Sequence, residues 1–233
     1  MLDAILFDMD GTLLPMDNDE FTDGYFRLLA EAVAPLGYEY KSMSYAMWQG
    51  VKAMLQNDGS RRNCEPFWDA FGETLGIDCR AHIPYFDEFY TKDFHKAIAF
   101  TQPTEKARIA VELAKKKAEH VVLATNPFFP RVAVAARLSW AGLAVEDFDL
   151  ITDYENFGTC KPNPAYYREI VDMLGIDPTR CLMIGNNAQE DILASQVIGM
   201  STYLLDDCLI PFDPMPKTEQ GNFDALIAYL ENL

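Results

Sequence analysis

The sequence predicts an α/β fold: a doubly wound parallel sheet with a block of helices inserted after its first strand. Three observations carry this. From Pro103 onward, short apolar runs alternate with helical patterns, the rhythm of βαβ units. Leu2–Phe7 is one more short apolar run, closed by an Asp- and Gly-rich loop, and reads as a buried strand. Between the two, from Asp17 to about Thr101, only helical periodicity is found. Right-handed crossovers between parallel strands put helices on both faces of the sheet.

The elements follow in order. In the insertion, Phe21, Tyr25, Leu28, Leu29 and Ala32 recur at helical spacing, and Gly37 is a stop signal. Met43–Leu55, Pro66–Leu75 and Ala81–Phe94 read as three more helices, with Asn57-Asp58-Gly59-Ser60 as a loop between the first two. Pro103 suits the first turn of a helix over Thr104–Lys116. Then come a strand at His120–Ala124, a helix at Arg131–Trp140 and a short strand at Phe148–Thr152. A helix at Pro164–Leu174 ends at Gly175, and a strand follows at Cys181–Ile184. A helix at Ala188–Ile198 ends at Gly199, before a strand at Ser201–Leu205 and a last helix at Phe223–Leu230. Leu209–Gly221, with three prolines, reads as a surface loop. Residues 1–14 and 102–233 thus form a core domain, and 15–101 a helical cap.

Composition bounds the function. The 233 residues carry 36 acidic and 19 basic side chains, a formal net charge of -17. Such a chain repels a nucleic-acid backbone and an anionic membrane surface, so neither is an expected partner. If it binds an anionic phosphate, a cation or backbone N–H groups must help locally. The five cysteines are odd in number, and no CxxC pair occurs, which argues against a disulfide framework or a zinc site. Reduced thiols in a cytoplasmic protein are expected. Cys160 sits beside Lys161, but no histidine lies near it in sequence to make a reactive pair. The N-terminus lacks the basic region of a signal peptide, and no apolar stretch approaches the roughly 20 residues of a membrane helix.

In an open parallel sheet, ligands bind beyond the carboxyl ends of the strands. Asp8, Asp10, Gly11 and Thr12 follow the first strand, and Thr125 and Asn126 the second. Lys161-Pro162 precedes the helix at 164, and Gly185, Asn186, Asn187, Glu190 and Asp191 follow the fourth strand. Carboxylates, a hydroxyl, a lysine and amides converge on one edge. In extended backbone Asp8 and Asp10 point the same way and Met9 the other. Paired carboxylates call for a proton or a cation between them, and Mg²⁺ prefers one or two carboxylates plus substrate phosphate. Alone, the Asp-Met-Asp string reads as well as an Asp-rich turn capping a helix.

The longer string DMDGTLL resembles the first motif of the haloacid dehalogenase superfamily. The second motif, an apolar strand ending in Thr or Ser, matches Val121–Thr125, and the third, lysine then proline, matches Lys161-Pro162. The fourth, an apolar strand followed by GDxxxxD, matches Met183 through Asp191 with one departure. All four stand in the family's order.

The resemblance implies a Rossmann-like core, a helical cap of the family's first type, and phosphohydrolase chemistry on a small phosphorylated metabolite. Asp8 would attack phosphorus to give an aspartyl-phosphate, and Asp10 would serve as acid, then base. Thr125, Asn126 and Lys161 would bind the phosphoryl group, with Thr125 and Lys161 also taking part in catalysis. Mg²⁺ would be held by Asp8, the backbone carbonyl of Asp10, and Asn186 and Asp191 of the fourth motif. Asp10 disfavours a dehalogenase, because a halide leaves without a proton. A phosphosugar mutase stays open and would need a second phosphate site in the cap.

The departure is Asn186, where the family usually has aspartate. Three outcomes are open: Asp191 moves into direct coordination, Asn186 ligates with weakened affinity, or the protein is a poor catalyst kept for binding. Glu190 is either a further balancing charge or, on the bland reading, a solvent-facing or first-turn helix residue. In the cap, most aromatics at helical spacing are core. Arg61 and Arg62 are its best candidates to grip an anionic substrate, against the reading of an exposed basic pair. The oligomeric state is not readable from one sequence.

Overall fold

The computed structural model describes residues 1–233. Strand β1 (Leu2–Phe7) is followed by four α-helices: α1 (Asn18–Val33), α2 (Tyr40–Leu55), α3 (Cys64–Leu75) and α4 (Ile83–Lys92). Then come α5 (Lys106–Lys117), β2 (Ala118–Leu123), α6 (Arg131–Trp140), β3 (Leu150–Ile151), α7 (Pro164–Leu174) and β4 (Cys181–Gly185). A π-helical turn at Ala188–Leu193 runs into the short α8 (Ala194–Gln196), before β5 (Ser201–Leu205), β6 (Glu219–Gly221) and α9 (Phe223–Glu231). No helix is long and apolar enough to cross a membrane.

The sheet is six-stranded and parallel, in the order β3-β2-β1-β4-β5-β6. The period of two sorts each central strand onto two faces. Ile5 and Phe7, Val121 and Leu123, and Leu182 and Ile184 enter one apolar cluster. Ala4 and Leu6, Val122 and Ala124, and Cys181 and Met183 enter a second cluster on the opposite face. Burial on both faces is why these strands read as continuous apolar runs.

The first cluster also takes in the inserted helices. Phe94 packs against Trp140 of α6 at 5.2 Å between ring centroids, and Tyr25 against Phe129 at 5.3 Å. The segment after α2 is tied to the segment after β3 by backbone bonds from Asn63 to Phe157 (2.8 Å) and from Cys64 to Tyr154 (2.9 Å).

Capping chemistry sets the helix ends. Asp17 accepts from the N–H groups of Asp19 and Glu20 at the start of α1. Asn163 caps α7, Pro164 opens it, and Gly175 closes it in the left-handed region.

Three expectations need correction. Residues 209–221 contain the edge strand β6, at Glu219–Gly221, instead of loop throughout. The predicted helix over 188–198 opens as a π-helical turn. The helix expected over 81–94 is α4 flanked by 3₁₀ turns at Cys79–His82 and Phe94–Phe100.

Candidate active site

The strand order reverses about β1, whose neighbours are β2 and β4. Phe7 pairs in register with Leu123 and with Ile184. The chains leaving β1, β2 and β4 therefore reach the same height, and Asp8, Thr125 and Asn186 emerge side by side. A cavity of about 250 Å³ lies between these strand ends and the inserted helices. Asp8, Asp10, Thr125, Asn126, Asn186 and Asp191 all line it, while Met9 is fully buried on the other side of the strand end.

Lys161 lies beneath the floor, 1 % exposed. Its ammonium bridges Asp8 Oδ1 at 2.8 Å and Asp191 Oδ1 at 2.6 Å. Burial opposes the charge on Lys161, but Asp191 and Asp8 outweigh it and hold its pKa well above the ordinary lysine value. One cation serves two carboxylates there. Burial, with Asp8 nearby, pushes the Asp191 carboxyl up, against the pull of Lys161. The other oxygen of Asp191 accepts the backbone N–H of Asn187 at 2.9 Å. A side chain at Gly185 would collide with this carboxylate, so the strand must end on glycine.

The Asn186 side chain is held by two hydrogen bonds. Its Nδ2 donates to the Cys208 carbonyl at 2.7 Å, which turns Oδ1 toward Thr12. The Thr12 hydroxyl lies 3.1 Å from that Oδ1 and 3.2 Å from Asp8 Oδ2, with one proton to give between them. Gly11, at φ 85°, brings its backbone so close that a Cβ would strike the Asn186 amide.

Thr125 is fixed through its backbone. Its carbonyl accepts from the Thr152 hydroxyl at 2.6 Å and the Tyr166 hydroxyl at 2.9 Å, and its side chain stays on the cavity wall. Asn126 fastens three loops together. Its Oδ1 accepts the Lys161 N–H at 3.2 Å, and its Nδ2 donates to Glu190 at 3.0 Å. Glu190 stands in the first turn after the Asn187 cap and lines the cavity, and burial raises its carboxyl pKa.

Asp10 meets a residue that the sequence reading overlooked. Arg137, fully buried in α6, donates through Nη1 to Asp10 Oδ2, and its guanidinium carbon lies 4.2 Å over the Phe129 ring. Nε and Nη2 of Arg137 and Oδ1 of Asp10 have no hydrogen-bond partner. Burial, then the Asp8 charge, raise the Asp10 pKa, and Arg137 opposes both. The signal was present: Ala133, Val134 and Arg137 share one helical stripe, so an arginine stands where the periodicity calls for an apolar residue.

The family model for haloacid dehalogenase-like hydrolases matches residues 2–199. The chain belongs to the haloacid dehalogenase-like hydrolases. It is 25 % identical over 209 residues to a phosphatase of Mycobacterium tuberculosis, covering 88 % of each chain. It is 26 % identical to the phosphoglycolate phosphatase of Neisseria gonorrhoeae, over 84 % of this chain and 76 % of that one. The 2-haloacid dehalogenase of Pseudomonas syringae superposes with a TM-score of 0.66 at 17 % identity, over 100 % of this chain and 99 % of that one, a likeness of fold alone.

In this haloacid dehalogenase-like hydrolase, Arg61 and Arg62 do not reach the cavity. Arg61 pairs with Glu65 and Asp69, and Arg62 with Glu169 and the Asn156 carbonyl, all half-exposed or at the rim of the insertion. The reading of an exposed basic pair is the correct one. Cys160 is buried, accepts from Asn63 Nδ2, and has its thiol pKa pushed far up by burial, so it is not a reactive thiolate despite its lysine neighbour.

Proposed function

We propose that this hydrolase is a Mg²⁺-dependent phosphomonoester phosphatase acting on small phosphorylated molecules, with Asp8 as nucleophile and the inserted helices (residues 15–101) as its cap. The observation that carries the reading is the pairing at the cavity floor. Asp8 is oriented by Lys161 and Thr12, and a second carboxyl, Asp10, faces the same cavity two residues on. The phosphatase and phosphoglycolate phosphatase relatives point the same way.

An Asp8 oxygen attacks phosphorus, and the bond to the ester oxygen breaks as the aspartyl-phosphate forms. The leaving oxygen takes a proton from Asp10. Arg137 holds Oδ2 and so fixes the orientation of that carboxyl. The raised pKa of Asp10 suits a general acid. Asp10, now ionised, then takes a proton from water as the water attacks phosphorus and frees Asp8. Lys161 offsets charge on Asp8 and the phosphoryl oxygens, and the Thr125 hydroxyl and Asn126 meet that group from the β2 end.

The side chains of the floor offer oxygen donors, Asp8, Asn186 Oδ1 and Asp191, to which the family resemblance adds the Asp10 carbonyl. No three acidic, histidine or cysteine side chains gather into a cage. That donor set suits Mg²⁺, which keeps water and phosphate among its ligands. When bound, Mg²⁺ neutralises charge on the phosphoryl oxygens. Both Asp191 oxygens are engaged by Lys161 and Asn187, which favours Asn186 as the direct ligand with reduced affinity.

Asn186→Asp is therefore expected to tighten Mg²⁺ binding by about tenfold, read by titration calorimetry. It is also expected to lower the melting temperature without Mg²⁺, because a carboxylate oxygen would replace the donor now facing the Cys208 carbonyl. Unchanged affinity would remove Asn186 from the metal site. For the function itself, 4-nitrophenyl phosphate with Mg²⁺ should be hydrolysed by the wild type, and release should vanish with EDTA or in Asp8→Asn. Release that survives in Asp8→Asn would exclude Asp8 as nucleophile.

A further inference from the structure

The cavity above the phosphoryl site has a chemistry of its own. Fourteen of its 24 lining residues are hydrophobic, and on the side of the insertion Phe21, Phe26, Trp48 and Trp68 form the walls. None of the insertion's Arg, Lys or His side chains lines it. Five of those cations are paired elsewhere: Arg61 and Arg80 with Asp69, Arg62 with Glu169, Lys92 with Glu88, Lys96 with Asp93. The floor is rich in carboxylates, with Asp8, Asp10, Glu190 and Asp191, and its two nearby cations, Lys161 and Arg137, are already paired.

The polar handle at the wall is uncharged. The Tyr25 and Tyr90 hydroxyls bond to each other at 2.6 Å, which leaves one O–H to donate to a ligand. A carboxylate or a second phosphate on the leaving group would enter this space without a countercharge, close to four acids. Burying an unpaired charge is costly, whereas an aromatic or aliphatic group gains by leaving water.

We propose that this cavity selects phosphomonoesters whose alcohol part is neutral and largely apolar, and rejects those carrying a carboxylate or a second phosphate. The inference rests on the phosphatase reading for its floor, and it departs from what the phosphoglycolate phosphatase relatives act on. It also removes the mutase alternative, because the cap offers no cation to hold a second phosphate.

The preference is measured as binding, apart from turnover. Asp8→Asn protein in Mg²⁺ is titrated with 2-phenylethyl phosphate, with 2-phosphoglycolate, and with inorganic phosphate as the shared group. The aromatic ester is expected to bind at least about tenfold more tightly than 2-phosphoglycolate. Equal or tighter binding of 2-phosphoglycolate overturns the proposal. Wild-type kcat/KM should follow the same order. If wild type hydrolyses neither ester while the binding order holds, the phosphatase reading falls and the selectivity stands. If it hydrolyses 2-phosphoglycolate faster, the phosphatase reading stands and the selectivity falls. Trp48 lines the cavity yet is 52 % exposed, so it tolerates replacement. Trp48→Arg should shift the ratio of the two affinities toward 2-phosphoglycolate. An unchanged ratio in that variant overturns the cavity as the seat of selection.

Discussion

Lys161→Met is expected to cost about 3–5 kcal/mol of folding stability and at least about 10²-fold in phosphatase activity. Methionine keeps the length of the side chain and deletes the charge. What remains is Asp8 at 2.8 Å and Asp191 at 2.6 Å from a position that no longer holds a cation. Asp191 is 1 % exposed, so water cannot take over. In the proposed reaction the lysine also offsets charge on the nucleophile and the phosphoryl group, so kcat should fall more than KM rises.

The double variant separates charge from packing. If the loss comes from unpaired carboxylates, Asp191→Asn added to Lys161→Met should recover part of the stability, read as the urea midpoint. Two losses that simply add would point to packing instead. The pH dependence has a definite sign. The Lys161 pKa is raised in the folded state, so its contribution is complete below the unfolded lysine value and fades as pH rises through the folded one. Asp191, with its pKa also raised, has the same sign in a lower window and favours the fold less as pH rises above the unfolded carboxylate value. Without the lysine, that second trend should steepen.

The edge that carries the candidate site was legible because a simple rule applies to parallel sheets. Residues just past the strand ends gather, and the register of Phe7 with Leu123 and Ile184 makes Asp8, Thr125 and Asn186 do so. The strands themselves were legible because both faces are buried. β6 was not, since Glu219-Gln220-Gly221 is a solvent-facing edge with no apolar residue to mark it. Arg61 and Arg62 were legible as an exposed basic pair, but a basic pair in a loop says nothing about which acids the fold brings near. Their partners Asp69 and Glu169 lie 8 and 107 residues away. The chemistry of the cavity walls was out of reach for a related reason. Helical periodicity marks Phe21, Tyr25 and Tyr90 as inward, but it does not say whether inward means core or cavity.

Arg137 marks the limit most clearly, and Arg137→Met carries the second large effect. Removing a fully buried partner strands Asp10, whose side chain is 25 % exposed, and the expected cost is about 3 kcal/mol at neutral pH. That cost should shrink as pH falls. Burial and Asp8 already raise the Asp10 pKa, and loss of Arg137 removes the influence that lowers it. The variant's Asp10 then takes up a proton more readily on folding, so its penalty grows as pH rises above the unfolded carboxylate value and is absent below it. In catalysis the same shift predicts a different signature. In the proposed reaction Asp10 must be protonated to serve the leaving oxygen, so the alkaline limb of kcat/KM should move to higher pH even as the rate at its maximum falls. A merely structural role for Arg137 would lower stability and leave that limb in place. Arg137→Lys, which keeps a cation but not the planar fork over Phe129, should recover the limb more fully than the stability.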